Sequence, residues 1–253
     1  EPSLARFLGA RVPRAARRAA RVLADSEHAR GEIVARLGVP PERVAVAYGG
    51  VDPALAARAA AADHQAVRAR FGLPGPYVLG VGTLEPRKDW PLLMAAFARA
   101  AEGPLAGHVL AIAGGRGWRD APIREAAAAH GPRVRLLARV PDEALPGLYA
   151  AADAFALASR YEGFGLPPLE AMACGVPTAV AGAASLPEVA GDAALVVPAG
   201  DVDAWTTALV RLVTDEPLRA RLVAAGPARA ARFTWDACAA ATEAAYAAAL
   251  RTR

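Results

Sequence analysis

From residue 77 onward, short uninterrupted apolar runs alternate with longer stretches of helical periodicity. The runs at 77–81, 108–113, 134–137, 154–158, 178–181 and 194–197 predict strands. They lack polar alternation, the pattern of strands covered on both faces. Segments near 89–101, 120–129, 142–151, 168–174 and 203–213 predict the helices between them. This alternation predicts an α/β fold built on a doubly wound, Rossmann-like parallel sheet, whose ligands bind at the carboxyl ends of the strands. Upstream, 21–25 predicts a strand, Ser26 caps a helix through Leu37, and 44–47 predicts a strand running into Tyr48-Gly49-Gly50-Val51-Asp52. The alanine- and arginine-rich stretch 53–70 reads as a helical linker into a new unit, and Thr234–Leu250 as a final helix.

Two loops that follow strand ends carry candidate chemistry. The first lies in 160–177, Arg-Tyr-Glu-Gly-Phe-Gly-Leu-Pro-Pro-Leu-Glu-Ala-Met-Ala-Cys-Gly-Val-Pro. Glu162 and Glu170 flank a glycine-bearing turn that enters a proline-opened helix, read over Leu169–Cys174 and closed by Gly175 and Pro177. A strand, a glycine turn and a helix N-terminus make an anion site, because backbone N–H groups point outward at the positive end of the helix dipole. Phosphate alone disfavours a carboxylate at each end, whereas sugar or ribose hydroxyls suit one. The composite ligand indicated is a nucleotide sugar. Glu170 also has a plain account, as a first-turn glutamate that favours its helix dipole.

The second loop, Gly80-Val81-Gly82-Thr83-Leu84-Glu85-Pro86-Arg87-Lys88-Asp89-Trp90, holds the single lysine of a chain with 28 arginines. Lysine is a compact ammonium on a flexible stem and arginine a planar fork, so a lone lysine marks a place where the fork does not serve. Its position, after a strand and in a loop that opens a helix, favours function over a chance survivor on a solvated loop.

Charge and composition narrow the field. Hydrophobic residues make up 55% of the chain and the mean hydropathy is +0.23, ample for a core even though much of it is alanine. No apolar run reaches membrane-spanning length. Cys174 and Cys238 have no metal-ligand spacing, which predicts reduced, buried thiols and a cytoplasmic setting. Six arginines (6, 11, 14, 17, 18 and 21) crowd the first 21 residues among Leu4, Phe7, Leu8 and Val12. Such a segment suits peripheral contact with an anionic membrane, but Pro13 is expected to interrupt its stripe, and a solvated helix face is the plainer reading. With aromatics at 6%, none interleaved with this cluster, and a net charge of +4, nucleic acid is not an expected partner. Gly80-Val81-Gly82 lacks the third glycine of a dinucleotide fingerprint, since Glu85 stands there, and Lys88 lacks the frame of a P-loop. Gly114-Gly115-Arg116-Gly117-Trp118 reads first as a tight turn, with contact to ligand as the alternative, and Asp201-Val202-Asp203 as a helix cap rather than a metal–diphosphate site. The four histidines are scattered, so hydrolase and metalloenzyme readings find no support, and no metal or cofactor is expected.

With these residues in view, the chain resembles the retaining glycosyltransferases of family 4, which have the GT-B fold of two facing Rossmann-like domains. The motifs that carry the resemblance are Ala-Asp-Ser-Glu (24–27), Tyr-Gly-Gly-Val-Asp (48–52), Gly-Thr-Leu-Glu-Pro-Arg-Lys-Asp (82–89), Glu-Gly-Phe-Gly-Leu-Pro-Pro-Leu-Glu-Ala (162–171) and Ser-Leu-Pro-Glu-Val-Ala-Gly-Asp-Ala-Ala (185–194). The resemblance implies that 1–52 closes an N-terminal acceptor domain, 53–233 is the donor-binding domain, and 234–253 packs back toward the N-terminal one. It implies a donor site of Gly82, Thr83, Arg87, Lys88, Val140, Glu162, Gly163, Phe164, Gly165, Leu166 and Glu170. In it Lys88 and Arg87 bind the diphosphate, and the amides of Phe164, Gly165 and Leu166 hold sugar and phosphate oxygens. Glu162 meets sugar hydroxyls, Glu170 takes both ribose hydroxyls, and Arg139-Val140-Pro141 seats the base. Glu162, Lys88 and Arg87 would carry catalysis. Many members have arginine where this chain has Thr83, so either Arg87 supplies that charge or diphosphate binding is weaker.

The implied reaction is metal-independent transfer of a hexose from a nucleotide sugar to a glycan, lipid-linked or small-molecule acceptor, with retained configuration. Glu85-Pro86-Arg87-Lys88 is similar to bacterial mannosyl- and rhamnosyltransferases, which makes GDP-mannose the first expected donor. The alternative is a nucleotide-sugar-binding module that completes its cleft with another polypeptide. A phosphorylase-like Schiff base on Lys88 is disfavoured, because the lysine sits in a polar loop between Arg87 and Asp89.

Overall fold

The computed structural model describes the backbone of residues 2–251 and the side chains of residues 6–251. The chain divides into two compact units, Glu1–Gly50 with Phe233–Arg253, and Val51–Arg232.

The first unit comprises α1 (Pro2–Arg18), β1 (Val22–Ala24), α2 (Glu27–Leu37) and β2 (Val44–Val46), joined by the final helix, Trp235–Arg251. Strands β1 and β2 pair in parallel, with Leu23 opposite Ala45. Ser26 caps α2 by accepting from the Ala29 amide, and Gly38 ends it in the left-handed conformation at φ 65°. The core is small, Ala24, Val39 and Val44 with partly buried Val22, Ile33, Val34 and Leu37. The last helix packs against both strands. Its entry is fixed by Phe233, edge-on to Tyr48 at 5.6 Å, and by Gly50, where a Cβ would stand 2.2 Å from the Trp235 amide nitrogen. Contrary to the sequence expectation, α1 runs through Pro13 without a break and leaves Phe7, Leu8 and Val12 exposed. Leu4 lies outside the described side chains.

The second unit begins with α3 (Leu55–Ala60) and α4 (His64–Arg70), which pack on a later helix rather than forming the expected linker. There follow β3 (Tyr77–Val81), α5 (Trp90–Ala100), β4 (Val109–Ala113), α6 (Ala121–Ala129), β5 (Val134–Leu136), α7 (Leu145–Ala150), β6 (Ala154–Leu157), α8 (Leu166–Ala173) and β7 (Thr178–Ala181). The unit continues through α9 (Leu186–Ala190), β8 (Leu195–Val197), α10 (Val202–Thr214) and α11 (Glu216–Ala230); the helix from Trp235 is α12. The six strands are all parallel in the order β5-β4-β3-β6-β7-β8. This is the doubly wound sheet expected, with strand ends trimmed by a residue. Helices α9 and α11 are additions that the sequence reading did not predict. In α11, Pro217 sits in the first turn, where its missing N–H costs nothing, and Pro227 lies near the last.

Strand order reverses between β3 and β6, neighbours in the sheet though far apart in the chain. At such a switch point the outgoing connections leave to opposite sides and open a crevice at the strands' carboxyl ends. Beneath it the core is dense. Trp90 is fully buried, and a Cβ at Gly80 would stand 2.6 Å from its ring.

Candidate functional site

The switch point places the two informative loops side by side. Loop 82–89 leaves β3 and loop 158–165 leaves β6, and the second is bound to the first along its length. The Arg160 amide donates to the Arg87 carbonyl at 2.8 Å. The Arg160 guanidinium donates to Asp89 at 2.7 Å, and Arg87 donates to the Tyr161 carbonyl at 3.1 Å. Asp89 closes the turn at φ 51°, a left-handed conformation that aspartate tolerates better than most residues.

A third loop joins them. The Gly82 amide donates to the Ala113 carbonyl at 2.9 Å, and the Leu84 amide to that of Gly115 at 3.0 Å, continuing the β3–β4 ladder past the strands. A Cβ at Gly114 would stand 1.9 Å from the Gly82 carbonyl oxygen, so this close approach excludes any side chain. The first and third loops border a cleft of about 370 Å³, whose lining includes Gly82, Thr83, Gly115, Arg116, Val140 and Asp142. The run Gly114-Gly115-Arg116 thus reaches the cleft wall, in line with the alternative to a plain tight turn. Arg139 lines it too, and Val140 is buried there.

Glu162 is the electrostatic hub. Its Oε1 accepts from Lys88 Nζ at 2.6 Å and from the Ser159 hydroxyl at 2.6 Å, and its Oε2 accepts from Arg87 at 2.7 Å. Lys88 and Glu162 are both buried, while the Arg87 side chain is 40% exposed and also holds Glu85. Burial pushes the Glu162 carboxyl up, but Lys88, Ser159 and Arg87 outweigh it and hold the group below the usual glutamate value. Lysine fits this slot for a visible reason. A Cβ at Gly82 would lie 3.1 Å from Lys88 Cε and 3.2 Å from Nζ, so the ammonium passes over a bare glycine. Thr83 is half-buried, and its carbonyl accepts from the Trp90 indole at 3.1 Å.

Glu170, about one turn into α8, is placed differently. It lies in α8, and its Oε2 accepts from the Tyr149 hydroxyl at 2.7 Å. Burial raises its carboxyl above the usual value, the Tyr149 hydroxyl lowers it in part, and Asp142 of the cleft wall raises it further.

Between the two glutamates the chain makes a tight corner. Gly165 adopts φ 114°, and a Cβ there would meet Leu186 at 2.9 Å. No side chain caps α8. Pro167 and Pro168 carry no N–H, so the amide donors at this helix end are narrowed to Leu166 and the residues before it. Gly163, Phe164, Gly165 and Leu166 form the short turn between Glu162, which binds both cations, and α8. Of the other sequence candidates, Asp201 is a cap, accepting from the Ala204 amide at 2.9 Å, and Asp203 pairs with Arg99. Cys174 and Cys238 are half-buried rather than buried, in separate units.

A family described as "Glycosyl transferases group 1" matches residues 64–229, and one described as "Glycosyltransferase Family 4" matches residues 2–55. The chain belongs to the group 1 glycosyl transferases. It is 37% identical over 229 residues to an O-antigen chain mannosyltransferase B from Escherichia coli, a match covering 89% of this chain and 60% of that one. It is 34% identical to a D-inositol 3-phosphate glycosyltransferase from Salinispora arenicola, covering 85% of this chain and 52% of the relative. The chain thus spans about half to three-fifths of the length of these relatives. In fold it is similar to a sucrose-phosphate synthase from Thermosynechococcus elongatus, with a TM-score of 0.80 and 24% identity over 95% of this chain and 61% of that one. It is similar also to Anabaena Alr3699/HepE in complex with UDP and glucose, with a TM-score of 0.77 and 22% identity over 94% of this chain and 65% of that one. The GT-B assignment stands on these likenesses and on the parallel sheet.

Three polar residues of this candidate site were not singled out by the sequence. Ser159 completes the partners of Glu162. Ser185 is fully buried, its hydroxyl 2.7 Å from the Phe164 carbonyl and 2.9 Å from that of Glu162, and so ties the start of α9 to the turn before α8. Tyr149 reaches Glu170 from α7. Only Ser185 lay in a quoted motif; a tyrosine within a helical apolar pattern reads as core.

Proposed function

We propose that this chain binds a nucleotide diphospho-sugar and is the donor-site part of a retaining glycosyl transferase that moves a hexose to an acceptor hydroxyl. The observation that carries the reading is that Glu162 binds Arg87 and Lys88 at the start of the Gly163–Leu166 turn into α8, while Gly82 and Thr83 of the lysine's own loop line the neighbouring cleft. In such a transfer the bond from the sugar's anomeric carbon to the diphosphate oxygen breaks, and negative charge develops on the departing phosphate. Lys88, Arg87 and the amides of Gly165 and Leu166 are preorganised donors for that charge; each such donor in a dry site contributes on the order of 3 kcal/mol to the transition state. The reading gives these groups the neutralising role and needs no metal ion.

Lone-pair counting refines the part of Glu162. Lys88 and Ser159 take both lone pairs of its Oε1, and Arg87 takes one on Oε2. A sugar hydroxyl therefore approaches Oε2, and the same carboxylate holds both cations ready. Arg87, attached to the loop by Glu85 and Glu162, supplies the charge that an arginine at position 83 gives other members. GDP-mannose is the first donor to try, because the E. coli relative is named a mannosyltransferase and Asp142 and Arg139 give the base region polar partners. The acceptor belongs to the glycan or lipid-linked class. Exposed Phe7, Leu8 and Val12, on a helix that also carries Arg6, Arg11, Arg14, Arg17 and Arg18, support peripheral contact with an anionic membrane, testable by vesicle flotation. Among the described residues, no helix is long and apolar enough to cross one.

The test is calorimetric titration of the chain with GDP, UDP, dTDP and ADP, repeated on Lys88→Ala and Glu170→Ala. Micromolar binding of one nucleotide that is lost in both variants supports the donor site, and binding indifferent to both substitutions refutes it. Sugar transfer by the whole protein in the presence of a chelator then tests metal independence. Nucleotide binding without any transfer would instead favour a binding module.

A further inference from the structure

Tyr149 lies outside both loop signatures, yet it makes the closest polar contact to Glu170. We propose that Tyr149 is a positioning residue for the donor, its buried hydroxyl fixing the Glu170 carboxylate so that the remaining carboxylate edge meets the two ribose hydroxyls. This inference rests on the reading of Glu170 as the ribose ligand.

The geometry restrains both partners. Tyr149 is fully buried in α7, and its ring packs against Phe155 with centroids 5.9 Å apart, which leaves the hydroxyl one place to point. That hydroxyl stands 2.7 Å from Glu170 Oε2. Burial, with Glu170 and Cys174 nearby, keeps the phenol protonated well past its ordinary range, so it acts as a donor at any working pH. Glu170 has no cation beside it. Among the described residues, the Tyr149 hydroxyl is the one side-chain donor on this carboxylate, in contrast to the three on Glu162.

A glutamate side chain turns about three bonds, and a bond at Oε2 fixes the last of them. Oε1 and the second lone pair of Oε2 are then left for a vicinal diol. The charged and titratable groups facing Glu170 are Tyr149 from α7, Asp142 from the segment before α7, and Cys174 at the end of α8. Burial and Asp142 favour protonation of Glu170, and the Tyr149 bond opposes it. Removing the hydroxyl should therefore free the carboxylate to rotate and let it protonate at higher pH. A tyrosine that merely fills the core would do neither.

The experiment compares GDP, UDP and ADP with their 2′,3′-dideoxy counterparts by calorimetry from about pH 5 to 8, on the wild-type chain, Tyr149→Phe and Glu170→Ala. The wild type should prefer the ribose form about tenfold or more, and both variants should lose that preference while binding the dideoxy form as the wild type does. In Tyr149→Phe the acidic limb of ribonucleotide binding should move to higher pH. With 3,5-difluorotyrosine at position 149, which keeps the hydroxyl and strengthens it as a donor, the limb should move to lower pH. Should Tyr149→Phe fail to fold, this second variant decides, and an unmoved limb overturns the proposal. Loss of the preference in Glu170→Ala but not in Tyr149→Phe overturns the role of Tyr149 alone. A preference retained in Glu170→Ala, or no nucleotide bound by the wild type, overturns the ribose reading and the proposal with it. Equal weakening of ribose and dideoxy forms in Tyr149→Phe shows a purely structural tyrosine.

Discussion

Glu162 and Glu170 belong to one short signature, and the fold treats their carboxylates in opposite ways. Glu162 is buried among Lys88, Arg87 and Ser159 and is held ionised below the usual glutamate value. Glu170 is half-buried beside a phenol, with Asp142 as its charged neighbour, and its carboxyl is raised. The first carboxylate is therefore part of what keeps the fold together, because it neutralises a lysine that would otherwise be buried alone. The second is carried at a cost to the fold, as expected of a group retained for a ligand. Burial alone does not decide what a carboxylate does; the charge beside it does.

The sharpest way to break this contrast is Glu162→Ala. Lys88 would then be left buried without an anion, and stability should fall by about 3–5 kcal/mol in urea unfolding. An unfolding midpoint like that of the wild type would show the cluster to be incidental. Next in size is Lys88→Ala, which should weaken nucleoside diphosphate binding about 100-fold, or ~2.7 kcal/mol, in calorimetry. Lys88→Arg should not restore it, since the space over Gly82 admits a thin ammonium stem and not a planar fork.

Glutamine replacements sharpen the contrast through their pH dependence. Glu162 has a folded value below the usual 4.5, so its contribution is present above that pH and lost as pH falls through the folded value. The stability lost in Glu162→Gln should therefore be full at neutral pH and shrink on acidification. Glu170 has a folded value above 4.5, so its ionised form opposes folding once pH rises past that point. Glu170→Gln should be as stable as the wild type or more so at pH 7, an advantage that fades below pH 4.5, while ribonucleotide affinity drops about tenfold. Thermal unfolding across pH checks both slopes, and slopes of the same sign would dissolve the distinction. The smallest expected effect is that of Ser185→Ala, about 1 kcal/mol in stability and a few-fold in nucleotide affinity, because the Glu162–Phe164 backbone loses one tether.

Much was determined by sequence alone. Uninterrupted apolar runs announced buried parallel strands, since burial of both faces leaves no place for polar alternation. Strand-to-helix glycine turns and a single lysine among arginines marked the two loops that meet at Glu162, because backbone geometry and charge shape are properties of residue type. The reading went astray where a residue's meaning depends on its neighbours in space. Pro13 does not break α1, and the helices of 53–70 pack on α7 instead of serving as a linker. Tertiary structure alone decided that β3 and β6 are adjacent, that the loops after them share Glu162, and that Tyr149 meets Glu170. Strand order and side-chain partners are set by contacts between residues far apart in the chain, and no local pattern of hydrophobic and polar positions encodes which distant groups will meet.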